Sequence, residues 1–197
     1  LAAGAALYKK VNQKKGVVIA NLGDGALGRG PVWEAMVFSA MDQYTQLWDE
    51  AYSGGLPVLF NIFNNFYGMG GQTMGETMPF GQIARLGAGI CPSQMYAERV
   101  DGYNPLAVID AMRRKKRLLL DRCGPVLLDV VTYRLTGHSA SDSCSYRTEE
   151  EINAWKDQDA LCSYAQKLIA CGVAKRSLLE SIDQQNAALA QTVCRLA

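Results

Sequence analysis

The chain has 197 residues, 49% of them hydrophobic, and a formal net charge of +1. That is enough apolar material for one substantial core, and the near-zero charge gives no global case for a nucleic acid or a membrane surface as partner. Six cysteines occur without a C-x-x-C pair, beside a single histidine. This excludes a zinc constellation and any compact disulfide framework, and scattered thiols suit a reducing compartment.

The first residues, LAAGAALYKK, read as the inside of an alanine-rich helix over 1–14 without a starting Met. They are therefore expected to belong to a longer chain. VVIANL (17–22) is a continuous apolar, β-branched run, the signature of a strand covered on both faces. The same signature recurs in PVLFNIF (57–63) and PVLLDVVTY (125–133), and more weakly in MYAERVDG (95–102). Helical patterns fill the gaps, over 31 to about 53, 79–88 and 104–122. The last carries RRKKR (113–117), expected to be a solvated face opposite an apolar side of Leu106, Ile109, Met112 and Leu119. Strands alternating with helices predict an α/β fold, an open three-layer parallel sheet with helices on both faces.

After the third long strand comes RLTGHSASDSCSYRT (134–148), rich in Gly, Ser and Thr and holding His138. A structureless loop of this length is more often functional than incidental. TEEEI then opens a helix, with Thr148 as N-cap and Glu151 at the capping-box position. Further helices are expected over 157–171 and 175–195. The division expected is an α/β domain over 1–147 with a helical appendage over 148–197. No apolar run reaches eighteen residues, the length at which a membrane span is considered.

The first strand leads into GDGALG, which fits the dinucleotide fingerprint G-x-G-x-x-G at Gly23, Gly25 and Gly28. A Rossmann-type nucleotide site also needs an acid at the end of the second strand. Here that strand ends in Asn64-Asn65. Asp24 would repel a diphosphate unless a cation stood between them. Mg2+ accepts a carboxylate, an amide oxygen and phosphate oxygens in one octahedral shell. Asp24 and Asn65, at the carboxyl ends of two strands, would converge where open α/β sheets bind ligands. The plainer readings are an Asp-Gly tight turn, an Asn-Asn strand-end turn and an exposed loop histidine.

GDG (23–25) followed by NN (64–65) resembles the thiamine diphosphate and Mg2+ motif. GDGALGRGPVWEA, NNFYGMG (64–70), ERVDGYNP (98–105) and TYRLTGHSASDSCSYRTEEEI (132–152) are similar, in order, to the α subunit of 2-oxo acid dehydrogenase E1 components. That group includes the pyruvate, branched-chain 2-oxo acid and acetoin enzymes. The resemblance implies a thiamine diphosphate-binding fold, incomplete at its N-terminal side. It implies that Asp24, the Asn65 side chain and the Tyr67 carbonyl bind Mg2+, and that Gly23, Gly25 and Ala26 lie against the diphosphate. Arg134 would sit near that diphosphate as a charge-matched donor. His138 would be the catalytic loop residue, steadying the substrate carboxylate beside the cofactor.

The implied partners are an E1 β subunit or fused β domain, a lipoyl acyltransferase (E2) and a small 2-oxo acid. The implied location is the cytoplasm, or the mitochondrial matrix in a eukaryote. A transketolase-like or decarboxylase-like thiamine enzyme is the alternative. Ser139 and Ser145 match serines phosphorylated in some mitochondrial relatives, and no regulation is carried over. Three positions depart from the family pattern. The gap from Gly25 to Asn64 is long, with DQYTQLWDEAYSG (42–54) as the surplus, expected to pack against a neighbouring chain or segment. Phe63 replaces a polar residue, and Thr136 replaces a loop histidine.

Overall fold

The most apolar runs become the central strands. In the computed structural model, which describes residues 1–93 and 95–196, four parallel strands form one sheet in the order β1-β2-β4-β3. They are β1 (Val18–Gly23), β2 (Val58–Asn64), β3 (Tyr96–Asp101) and β4 (Val126–Val131). β2 and β4 are buried along nearly their whole length, whereas β1 alternates between half-buried and exposed residues. β1 was expected to be covered on both faces, and its place at the edge of the sheet is why it is not. The register pairs Val18 with Val58, Leu59 with Val126, and Tyr96 with Val126.

The order of the strands decides where the helices go. β1 to β2 and β2 to β3 step in one direction across the sheet, and β3 to β4 steps back. Right-handed crossovers then place the helix of the reverse step on the opposite face. Accordingly α1 (Ala2–Val11), α2 (Gly30–Ser39), α3 (Gln43–Gln46) and α4 (Leu86–Ile90) belong to one face. There Met36, Tyr44, Val58, Phe60, Ile62 and Leu127 share a core. The other face is covered by α5 (Pro105–Leu120), whose Ala111 and Leu119 pack with Leu59, Val126, Leu128 and Val130. The α/β fold in three layers is thus realised, with a parallel sheet as expected.

Several sequence expectations need correction. The helix expected over 31 to about 53 ends at Ser39, and only the short α3 follows. The break lets Tyr44 turn inward, almost fully buried, edge-on to Phe38 and Trp48. The 42–54 surplus packs on a neighbouring segment of its own chain, one of the two outcomes expected, with Lys10 of α1 set over the Trp48 ring at 5.1 Å. Residues 79–88 hold a 3₁₀ turn (Ile83–Arg85) before α4 in place of one helix. The buried stripe of α5 is Ala111, Lys115 and Leu119, while Leu106 and Ile109 are exposed. Lys115 thus leaves the solvated face assigned to RRKKR. It is drawn inward by Glu98 of β3 at 3.1 Å, which Arg114 also grips at 2.6 Å. These two cations outweigh burial and hold the Glu98 carboxyl down at about 2.

The tail forms α6 (Glu149–Lys156), α7 (Ala160–Ala170) and α8 (Arg176–Leu196), none with a fully buried residue. Thr148 caps α6 as expected, its hydroxyl accepting from the Glu151 amide at 3.2 Å. Trp155 docks α6 by stacking on Tyr133 at 5.0 Å and lying against Tyr103.

Candidate functional site

All four strands point their carboxyl ends the same way, so the turns after β1, β2 and β4 meet at one edge. β1 ends at Gly23 and passes into a 3₁₀ turn, Asp24–Gly28. Asp24 is buried at its start, 1% exposed. Its carboxylate accepts the Thr73 hydroxyl at 2.5 Å, together with the Gly25 and Phe66 amides. Phe66 and Thr73 belong to the turn after β2, so one carboxylate ties two strand ends together. Burial pushes the Asp24 carboxyl up, and those hydrogen bonds offset the rise only in part. The donors are neutral, so among the described residues the carboxylate is desolvated without a cationic partner, a costly state for a buried charge.

The turn after β2 is fixed by Phe66, in the left-handed region at φ 65°, and by a bridge between Tyr67 and Gln72. Asn64 is fully buried, and its amide donates to Asp129 at 2.9 Å. The neighbouring asparagine behaves differently. The Asn65 side-chain oxygen accepts the Tyr67 amide at 3.0 Å, which leaves that oxygen a second lone pair. Gly25 lies against this turn, and a Cβ there would stand 3.4 Å from the Thr73 methyl and 3.8 Å from Gly68 Cα. A Cβ on Gly23 would meet nothing within 4 Å, so its side of the turn is open. Ala26 follows in the same turn.

Arg134 brings the third segment in. Its guanidinium donates to the Gly68 carbonyl at 3.0 Å, to the Tyr146 hydroxyl at 2.9 Å and to His138 Nδ1 at 3.2 Å. A guanidinium only donates, so Nδ1 accepts and Nε2 carries the ring proton in this arrangement. The Arg134 Nε is buried without a protein partner. His138 itself is exposed. The expected residues are therefore linked through contacts, from Asp24 and Gly25 through Tyr67 and Gly68 to Arg134 and His138.

Sequence reasoning missed the groups that hold this arrangement. Asp142 folds the loop on itself, accepting the His138 amide and the Tyr146 hydroxyl, both at 2.7 Å, and the Cys144 amide at 2.9 Å. Those three hydrogen bonds hold its carboxyl down at about 2. Arg147 is buried and donates to the carbonyls of Arg134 and Thr136. It lies over the rings of Tyr67, Tyr133 and Tyr146 at 5.3, 5.3 and 5.4 Å. Aspartate within a Ser-rich loop signals an Asx turn and could have been read. No local signal marks Thr73 or the aromatic surroundings of Arg147.

Among the described residues no group of three or more His, Cys, Asp and Glu could hold a metal. The set at the sheet edge is of another kind, with one carboxylate, one amide oxygen and main-chain carbonyls. Hard oxygen donors of this sort fit Mg2+ that completes its shell with phosphate and water. A buried, cation-less carboxylate beside an open glycine turn is consistent with that fit.

Comparison with known proteins bears on the same residues. The dehydrogenase E1 component family matches residues 1–194. The chain is 34% identical over 189 residues to a pyruvate dehydrogenase E1 component subunit alpha of Zymomonas mobilis, covering 94% of this chain and 49% of that protein. It is 33% identical over 187 residues to the mitochondrial subunit alpha type I of Ascaris suum, covering 94% and 43%. A bacterial counterpart from Rickettsia conorii is 29% identical over 181 residues, covering 92% and 51%. The chain thus spans about half the length of the relatives it matches. With nearly its whole length matched, the chain belongs to the dehydrogenase E1 component family.

Proposed function

We propose that this chain is the α-type E1 portion of a thiamine diphosphate-dependent 2-oxo acid dehydrogenase of the pyruvate dehydrogenase kind. The observation that carries the reading is Asp24, a buried carboxylate with neutral donors only, where the ends of two strands meet. In this reading Asp24, the Asn65 side-chain oxygen and the Tyr67 carbonyl hold Mg2+. Gly23, Gly25 and Ala26 let main-chain N–H groups approach the diphosphate. Arg134 adds a charge-matched donor beside them.

Thiamine diphosphate, when bound, supplies the nucleophilic carbon and electron sink for decarboxylation of a 2-oxo acid, or for cleavage of acetoin. The chain's own work is to anchor, orient and cover. His138, exposed on a loop pinned through Arg134, serves as the catalytic hydrogen-bond donor. An E1 β subunit or fused β domain completes the centre, and a lipoyl acyltransferase receives the acyl group. Residues 1–147 act as the cofactor domain and 148–197 as its helical appendage.

A Rossmann-type site is disfavoured because β2 ends at Asn64 and is followed by Asn65, with no acid. Calorimetric titration of the complete protein with thiamine diphosphate plus Mg2+, and separately with NAD, discriminates the classes. Mg2+-dependent binding of thiamine diphosphate is expected. Binding of NAD with no response to thiamine diphosphate would overturn the reading.

A further inference from the structure

At the sheet edge opposite the site, the end of α1, the segment before β2 and the end of α5 enclose a cavity of about 240 Å3. Its wall presents Lys9, Lys10, Lys14, Lys15 and Arg122, and no Asp or Glu lines it. Three of these cations already meet main-chain oxygen, Lys9 donating to the Lys15 carbonyl at 2.9 Å. Lys10 donates to the Gly54 carbonyl, and Arg122 to the Ala51 carbonyl at 3.2 Å. Burial and the nearby Arg122 charge lower the Lys10 ammonium to about 8.

The plainest account is that lysines at a helix end offset its dipole, as Lys9 and Lys10 do in the last turn of α1. The magnitudes do not close on that account. Two helix C-termini, of α1 and α5, supply about half a negative charge each. Five cations face them, so about four positive charges remain uncompensated around one small concavity. Lys14 and Lys15 also lie beyond the last turn of α1, outside the reach of its dipole.

We propose that this cavity binds a small phosphate-bearing anion, with two or more negative charges and a short carbon body. Flexible ammonium groups converging from several directions suit an oxyanion that accepts from every side. Pro57 and Leu119 in the wall offer the carbon body an apolar surface. The volume suits a diphosphate or a sugar phosphate and is too small for a polymer's groove. The site is separate from the proposed cofactor site, at the other end of the strands, and does not rest on the proposed reaction.

The test is calorimetric titration of inorganic pyrophosphate into the complete protein, with and without saturating thiamine diphosphate and Mg2+. The side chains of Lys14 and Lys15 are exposed, so the double variant Lys14→Glu/Lys15→Glu should fold, as a thermal melt would verify. Lys9→Gln is a second, milder variant. Saturable binding that persists beside the cofactor is expected, weakened about tenfold or more by the double variant, a shift of about 1.4 kcal/mol, and lowered by salt. No saturable binding in the wild type overturns the proposal, whether the cavity is inert or covered by another segment. So does an affinity in the double variant within about twofold of wild type. Pyrophosphate that thiamine diphosphate displaces, with no response to either lysine variant, reports the cofactor site and also counts against this cavity.

Discussion

Asp24 is held by groups that do not neutralise it, and this sets what single substitutions should do. Thr73→Val keeps the side-chain shape and removes the hydroxyl that donates at 2.5 Å. It should cost about 1–2 kcal/mol of stability, since the carboxylate stays buried with one donor fewer. An unchanged denaturant midpoint would show that Thr73 contributes nothing to the turn. His138→Ala should retain cofactor affinity and impair turnover, because the ring is exposed and its removal leaves no cavity. Asp24 was legible because an acid in a glycine turn after a strand is conspicuous. Thr73 was not, because 49 residues separate it from its partner. Asn65 was legible as a type, and its hydrogen bond to the Tyr67 amide was not.

The 134–148 loop behaves as an element although it contains no regular structure. Asp142 closes it from within, and Arg147 fixes it to the Tyr67 turn. The Asp142 carboxyl lies lower folded than unfolded, so its contribution is full above about pH 3.8 and fades as pH falls towards about 2. Pepsin cleavage within the loop, taken relative to cleavage of an unfolded substrate at each pH, should therefore accelerate across that interval, and Asp142→Asn should reduce that rise. Arg147→Ala should destabilise by on the order of 3 kcal/mol, since two loop carbonyls and three tyrosine faces lose their partner together. Equilibrium urea unfolding measures this, and a loss below about 1 kcal/mol would contradict a buried anchor. The Thr148 cap was readable because it is local, whereas the Glu151 carboxylate, read as the return half of a capping box, instead accepts the Tyr67 hydroxyl at 2.7 Å. Arg147 was not, because Tyr67 and Tyr133 reach it only through the fold.

For the whole molecule, continuous apolar runs announced a parallel sheet, and the strand order came only with the folded structure. The short range of a pattern explains the misread helices. Residues 31–53 have a helical composition, yet burying Tyr44 and Trp48 beside α1 outweighs extending α2. On α5, Lys115 replaces the expected Ile109 in the buried stripe because Glu98 offers it a partner. Four parallel strands then deliver Asp24, Asn65 and Arg134 to one edge of a chain about half as long as its relatives.

The most direct measurement is the affinity of the complete protein for thiamine diphosphate, with and without Mg2+, compared between wild type and Asp24→Ala. Tight binding that requires Mg2+ in the wild type and disappears in the variant is the expected result. Equal affinity in the two proteins, or binding indifferent to Mg2+, would contradict the assignment of Asp24 as the metal-holding carboxylate.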